Sequence, residues 1–391
     1  MRRAVITGAG AVCAAGTGAG RLRDALLAGR SLLGPLRLFD PSPYPCRIAA
    51  SVPPESEDPG ETRGRGFVFL LQASREALGQ AGLGARGLAG PDTAVVLGTT
   101  LGGMDLLPSF LADPGDLRRA CALPYHAGAD ALADGLGAGD ASTVSGACAS
   151  SLMAIGNAAR MVRTGERRSV LAGGFDALCE FVHAGFSSLL ALDPDGLKPF
   201  DARRKGLVLG EGAAAVVVED LESARMRGAE PLAEILGFAT ASDANHITGP
   251  HPRGDGLLRA IRGAWAETGL TAGALDAVHA HGTGTPFNDR MEGIALRRFL
   301  GDRAAEMPVT ASKGTIGHTL GAAGALETVA CLWMLRDGVV PPCANFVEFD
   351  PECGIRPVTA PLRKEVRVIL KTAAGFGGQN AALVLGAVEK G

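Results

Sequence analysis

One cysteine and two histidines, each in a glycine-rich setting, are the residues of this chain best suited to covalent chemistry. Cys148 lies in Val144-Ser145-Gly146-Ala147-Cys148-Ala149-Ser150-Ser151, directly ahead of a run with helical spacing. His281 opens His281-Gly282-Thr283-Gly284-Thr285-Pro286, and His318 falls in Ser312-Lys313-Gly314-Thr315-Ile316-Gly317-His318 before Gly321-Ala322-Ala323-Gly324. A thiolate can accept an acyl group from a thioester. Two neutral imidazoles that donate N–H groups to one carbonyl oxygen can stabilise a developing enolate. The spacing therefore points to acyl-transfer and carbanion chemistry, provided that the three groups meet in space.

Each has an ordinary alternative. A cysteine is most often a small buried core residue. At Cys148, Gly146 and Ala147 permit a tight strand-to-helix turn, and the following helix would aim free N–H groups at the sulfur. That setting predicts a thiol pKa below about 8.5 and a backbone oxyanion site. His279, two residues before His281, reads as a core histidine. A zinc site would ask for further ligands at recognised spacing, and no H-E-x-x-H accompanies the histidines. Lys313, Glu327, Asp289 and Glu292 read either as surface charge or as a buried network orienting the imidazoles; their apolar surroundings favour the network. The stretch Ala374-Gly375-Phe376-Gly377-Gly378-Gln379-Asn380 reads equally as a hairpin turn or as a backbone donor with a mobile aromatic.

The elements that must position these groups alternate. Strands are expected at Ala4–Thr7, Thr93–Leu97, Ser169–Ala172, Ala213–Val218, Leu232–Ala239, Ala277–Ala280, Val309–Ala311, Val366–Lys371 and Ala381–Leu385. They are short, rich in Val, Ile and Ala, and suited to burial on both faces. Helices are expected at Phe67–Ala81, Ser150–Thr164, Gly256–Thr268, Arg290–Leu300 and Gly321–Arg336; in Ser150–Thr164 the apolar Leu152, Ile155, Ala159 and Val162 recur at helical spacing. The alternation implies an α/β fold. Val144–Cys148 runs into a small-residue helix and then strand Ser169–Ala172, Val309–Lys313 runs through His318 into a small-residue helix, and each stretch places a chemical residue near a helix start. This suggests an internal duplication, with halves at 1–230 and 231–391. Residues 41–65, rich in proline and charge, read as a surface loop.

The 391 residues suffice for a large core, and the net charge of −3 offers no basic field for nucleic acid. Apolar runs fall well short of the roughly 18–20 residues that span a bilayer. The start, Met1-Arg2-Arg3-Ala4-Val5-Ile6, reads as a strand rather than a signal peptide, because Gly8 and Gly10 interrupt the apolar run. Eight cysteines without a C-x-x-C pair fit reduced thiols in a cytoplasmic enzyme.

With these motifs in order, the chain resembles a β-ketoacyl-acyl-carrier-protein synthase, the elongating condensing enzyme with a Cys-His-His triad. The resemblance spans essentially the whole length and includes Lys198-Pro199-Phe200-Asp201, Leu209-Gly210-Glu211-Gly212 and the Gly375–Asn380 loop. It implies a thiolase-like duplicated α-β-α-β-α five-layer fold and a dimer, either of identical chains or with a sister ketosynthase-like subunit. It implies that Cys148 takes the acyl chain and that His281 and His318 support malonyl decarboxylation and condensation. Lys313, Glu327, Asp289 and Glu292 would order the site. Thr283 and Thr285 would bind the phosphopantetheine arm, and the N–H groups of Cys148 and Phe376 would form the oxyanion hole, with Phe376 as gate. No metal or organic cofactor is implied. The partner is an acyl carrier protein bearing acyl or malonyl thioesters, and docking would use Arg63, Arg65, Arg203, Arg204 and Lys205.

The chain departs from the family pattern at Gly146, where many relatives carry Thr, at Phe287, often Leu, at Gln379, a common Thr, and in a shortened segment after Pro41. These departures point towards a specialised polyketide or polyene pathway. A non-catalytic chain-length partner would lack the nucleophile. A thiolase would carry a second cysteine near residues 375–378, and an initiating synthase would have Asn in place of His318. A dinucleotide-dependent oxidoreductase fails on its fingerprint, because Gly8-Ala9-Gly10 is followed by Cys13.

Overall fold

The computed structural model describes residues 2–56, 58, 61–84 and 87–388. The strands that frame the site are β1 (Ala4–Cys13), β2 (Thr93–Gly98), β3 (Ala141–Val144), β4 (Ser169–Asp176) and β5 (Gly212–Asp220). They are followed by β6 (Ala233–Ser242), β7 (Ala277–His279), β8 (Val309–Thr310), β9 (Val368–Gly375) and β10 (Gln379–Gly386). The main helices are α1 (Arg65–Gln80), α2 (Ala127–Leu136), α3 (Ser150–Thr164), α4 (Asp255–Thr268), α5 (Pro286–Leu300) and α6 (Ala323–Asp337).

The first five strands lie in the order β3-β2-β4-β5-β1, and the next five in the order β8-β7-β9-β10-β6. Pairing sense repeats as well. β2 is parallel to β3 and β4, while β5 is antiparallel to β4 and β1. Likewise β7 is parallel to β8 and β9, while β10 is antiparallel to β9 and β6. A short antiparallel contact, Val5 with Glu234 and Ile6 with Ala233, joins the two sets into one sheet.

Side-chain alternation builds the layers. On β5, Ala214, Val216 and Val218 face the central core, whereas Ala213, Ala215 and Val217 face the outer core beneath α1 and α2. On β10, Ala381, Leu383 and Leu385 face the same central core, and Ala382 and Val384 face the outer core beneath α4 and α5. The helices α3 and α6 fill the space between the two strand sets, with Leu152, Ile155, Ala159 and Val162 on one side and Leu326 and Val329 on the other. The result is five layers, in which the central strands of each set are buried on both faces.

Two expectations need correction. β1 runs on to Cys13, because Gly8 and Gly10 let α1 lie directly on the strand; a Cβ on either would come within 2.0 Å of a carbonyl oxygen of α1. Residues 41–65 are not wholly a surface loop. Cys46, Ala49, Ala50 and Val52 are buried, and Ala50 donates its N–H to the Leu209 carbonyl at 2.9 Å. Glu57, Pro59 and Gly60 of that segment lie outside the described residues.

Candidate active site

Cys148 sits in the turn between β3 and α3. Ala147 takes a left-handed backbone, φ 50°, at a cost of about 1 kcal/mol for a residue with a Cβ. Ser150 secures it: its hydroxyl accepts the Gly146 N–H at 2.9 Å and donates to the Ala147 carbonyl at 2.6 Å. Gly98, the last residue of β2, allows this turn to close, because a Cβ there would stand 2.3 Å from the Ser150 backbone. The thiol is buried, and burial pushes its pKa up to about 11, against the Lys313 charge and the N–H groups of Phe376 and Cys148 itself. The expected lowering at the helix start is therefore overruled by desolvation.

His281 follows β7, and two carboxylates hold its loop. Glu292 accepts the backbone N–H groups of His281 at 2.7 Å and Gly282 at 2.8 Å, and the Thr372 hydroxyl at 2.6 Å. Asp289 accepts from the N–H groups of Thr283 at 3.0 Å and Phe200 at 2.7 Å. Both carboxylates are buried on α5 and act on the loop backbone; neither bonds to an imidazole. The ring is set by Lys313, whose Nζ lies 3.1 Å from His281 Nδ1, donates to the His281 carbonyl at 2.6 Å and reaches Glu327 Oε1 at 2.5 Å. An ammonium donating to Nδ1 places the ring proton on Nε2, which has no hydrogen-bond partner.

His318 is set by the backbone. Leu320 donates its N–H to His318 Nδ1 at 3.1 Å, so this ring also carries its proton on Nε2. Burial first, and the Lys313 charge second, hold both imidazoles neutral: His281 well below 6.5 and His318 down to about 3. Glu327 falls to about 2, because Lys313 and Lys371 outweigh the burial that opposes ionisation. His279 is a buried histidine bonded to the Ser312 hydroxyl at 2.7 Å, as a core residue would be.

Two buried residues escaped the sequence reading. Asp176, at the end of β4, accepts from the Thr99 hydroxyl at 2.6 Å, from Thr100 and Leu101 N–H groups, and from Gly321 N–H at 2.6 Å. It thereby ties the first half to the arm carrying His318. Lys371, on β9, forms an ion pair with Glu327 Oε2 at 2.7 Å, off the line of a hydrogen bond. The available signal was the same for both: a lone charge inside an apolar, glycine-rich run.

Cys148, His281, His318, Thr283, Thr285 and Phe376 all line one cavity of about 470 Å³. The Thr283 and Thr285 hydroxyls bond to each other at 2.8 Å. Gly375 to Gln379 closes a β9–β10 hairpin, so the loop is a hairpin turn whose tip also places Phe376 in the cavity wall, 5.6 Å from the Phe186 ring. At the mouth stand Leu190 and Phe287, 85% and 75% exposed.

The docking arginines are placed differently from expectation. Arg204 is buried, donating to Asp350 Oδ2 at 2.5 Å and to the Asp201 carbonyl at 2.9 Å. Arg65 forks onto Glu211 inside the fold. Arg63 pairs with Glu61 and lines a separate cavity of about 650 Å³. Only Lys205 reaches the cavity mouth, where it pairs with Asp195, while the half-exposed Arg203 holds Asp201. Arg204 and Arg65 are thus turned into the fold, whereas Arg63 and Arg203 stay about half-exposed.

The site brings one thiol and two neutral imidazoles to a single cavity. Residues 1–224 match the family model of the β-ketoacyl synthase N-terminal domain, and residues 232–347 that of its C-terminal domain. The chain is 38% identical to the putative polyketide beta-ketoacyl synthase 1 of Streptomyces halstedii, over 100% of this chain and 99% of that one. It is 34% identical to the 3-oxoacyl-[acyl-carrier-protein] synthase 2 of Coxiella burnetii, over 99% of each. The solved ishigamide ketosynthase/chain length factor superposes with a TM-score of 0.91 at 35% identity, covering 99% of this chain and 100% of that one. The chain belongs to the β-ketoacyl synthase family, the condensing enzymes of fatty-acid and polyketide synthesis, and has their thiolase-like fold.

Proposed function

We propose that Cys148 carries the growing acyl chain and that His281 and His318 stabilise the enolate formed from a malonyl thioester. In the first half-reaction the Cys148 sulfur attacks the acyl thioester, a new thioester forms, and the thiol proton ends on the departing carrier thiol. The tetrahedral oxyanion faces the N–H groups of Cys148 and Phe376. In the second, malonyl-carrier loses carbon dioxide, and the two Nε2–H groups hold the enolate oxygen. The enolate carbon then attacks the acyl-cysteine, the C–S bond breaks, and the Cys148 sulfur leaves as a thiolate that takes up a proton from solvent. The product is a 3-oxoacyl-carrier two carbons longer than the acyl donor.

The observation that carries this reading is the sharing of one buried cavity by Cys148 and two differently supported neutral imidazoles. Lys313 and Glu327 set His281, Asp289 and Glu292 hold its loop, and Thr283 and Thr285 line the path of a phosphopantetheine arm. The reading needs no metal or organic cofactor, and substrates arrive on an acyl carrier protein in the cytoplasm. The repeated strand order supports two equivalent halves, 1–230 and 231–391. Likeness to a ketosynthase/chain length factor favours a dimer, with a second copy or with a sister subunit. The test is intact mass after incubation with a panel of acyl-carriers. An acyl gain that disappears in Cys148→Ala supports the reading, and no gain with any donor counts against it.

A further inference from the structure

Lys371 is a lysine where an apolar residue is expected. On β9, Ile369 and Ala373 face the central core, and Lys371 lies between them on that same face. Its side chain is fully buried. Burying an ammonium group without a counter-charge costs several kcal/mol, and Lys371 meets a single carboxylate, Glu327, on the facing α6. That carboxylate is shared. Its Oε1 holds Lys313 at 2.5 Å and its Oε2 faces Lys371 at 2.7 Å. Lys371 also donates to the Thr372 carbonyl, and the Thr372 hydroxyl reaches Glu292, the carboxylate that holds the His281 backbone. Lys371 thus contacts Glu327 directly, and the Glu292 support of the His281 loop only through Thr372, without touching the ring.

We infer that Lys371 is a positioning residue of the condensing site: by holding the outer oxygen of Glu327 it keeps the inner oxygen on Lys313, and through Lys313 it fixes the ring of His281. This rests on the reading of the site given above and adds a residue to it. A charge consequence follows. One carboxylate between two lysines leaves a net positive charge beside the imidazoles. The groups facing His281 are Lys313, His318, His279 and Lys371, with Glu327 behind Lys313 and Glu292 and Asp289 on the loop backbone. Among them, after burial itself, Lys313 and His318 disfavour a proton on His281 most, and Lys371 adds to them. Protonation would place an N–H on Nδ1, facing the Lys313 ammonium, and break the contact that aims Nε2. Removing Lys371 takes away positive charge, so the His281 pKa rises and that protonation begins at higher pH.

The test uses the full chain with Lys371→Met, which leaves a one-to-one Lys313–Glu327 pair, and with Lys371→Arg. Malonyl-thioester decarboxylation is followed against pH, and Cys148 acylation by intact mass. Lys371→Met is expected to lower decarboxylation about tenfold at neutral pH and to move its acid limb up by about one pH unit. Acylation is expected to change far less, and Lys371→Arg to recover most of the loss. An unmoved pH profile, or equal loss of both half-reactions, overturns the inference. Nitrogen-15 spectra of the histidines, recorded for wild type and for Lys371→Arg and Lys371→Met, read the ring itself and not the rate. A His281 that takes up a proton on Nδ1 at higher pH in Lys371→Met than in wild type and Lys371→Arg supports the inference, and the same protonation in all three overturns it. A wild-type chain that neither acylates nor decarboxylates counts against the condensing reading, while the spectra still decide this one.

Discussion

The rings of His281 and His318 stand edge to face, 5.5 Å between centroids and 84° between planes. One is aimed by a side-chain ammonium and the other by a backbone N–H. With both neutral far below pH 6.5, neither loses its donor geometry in the range where such enzymes are assayed. Malonyl decarboxylation by the wild-type chain is therefore expected to stay level between about pH 6 and 8. His281→Ala and His318→Ala should each lower it by about 10²–10³-fold, the usual effect of removing one preorganised donor. A decarboxylation rate unchanged in His318→Ala would refute its assignment.

Cys148 behaves in the opposite sense. Its pKa is pushed up to about 11 by burial, so at neutral pH the thiolate is a small fraction that grows about tenfold with each pH unit. Alkylation of Cys148 by iodoacetamide is expected to accelerate in that proportion from pH 7 to 9. A plateau below pH 8, read by intact mass against a Cys148→Ala control, would show that a neighbouring group lowers the thiol pKa in solution.

Asp176 is the seam between the halves at the site. Its carboxylate accepts four donors from the Thr99–Leu101 turn and from Gly321, three residues beyond His318. Asp176→Ala leaves those buried donors unsatisfied. It should cost about 3 kcal/mol or more of stability, measured as the denaturation midpoint in urea. Asp176→Asn keeps one acceptor oxygen and should fall between wild type and Asp176→Ala. Equal stability of all three would show that water replaces the carboxylate.

The sequence was legible where chemistry and periodicity agree. α3 spans the residues its spacing indicates, and its apolar stripe lies in the central core. The nucleophile turn, the His281 loop and the His318 block carry their own glycine and threonine signatures, and they line one cavity. Legibility failed where a residue's role comes from a distant partner. β1 was cut short because Gly8 and Gly10 look like strand breakers until α1 is seen resting on them. β3 was missed because Ser142 and Thr143 sit on a half-buried edge strand with no apolar run. Asp176 is defined by Gly321, 145 residues away, and Lys371 by Glu327 on the facing helix. No local pattern encodes those pairings.

Arg204 shows how the same limit changes an experiment. Read as sequence, Arg203-Arg204-Lys205 is a basic patch, and reversing Arg204 would weaken carrier docking. In the fold, the Arg204 guanidinium is the counter-charge of Asp350 and a donor to the carbonyls of Asp201 and Pro286. Arg204→Glu should therefore destabilise the chain by about 3 kcal/mol or more, through an unpaired buried charge. Its effect on carrier-bound and free-thioester substrates should be alike. Selectivity for the carrier is expected at the apolar lip instead. Phe287 directly follows Pro286, whose carbonyl Arg204 holds, and with Leu190 it stands exposed at the mouth through which a tethered thioester must reach Cys148. Leu190→Asp and Phe287→Asp should each raise KM for carrier-bound malonate about tenfold, a loss of about 1.4 kcal/mol, and leave turnover of a free pantetheine thioester within about twofold. Lys205→Glu should change either KM little, since both partners of the Lys205–Asp195 pair are exposed and screened by solvent. Steady-state kinetics with the two substrates side by side separate these outcomes. Equal increases for both substrates in Leu190→Asp and Phe287→Asp would move carrier recognition away from this lip.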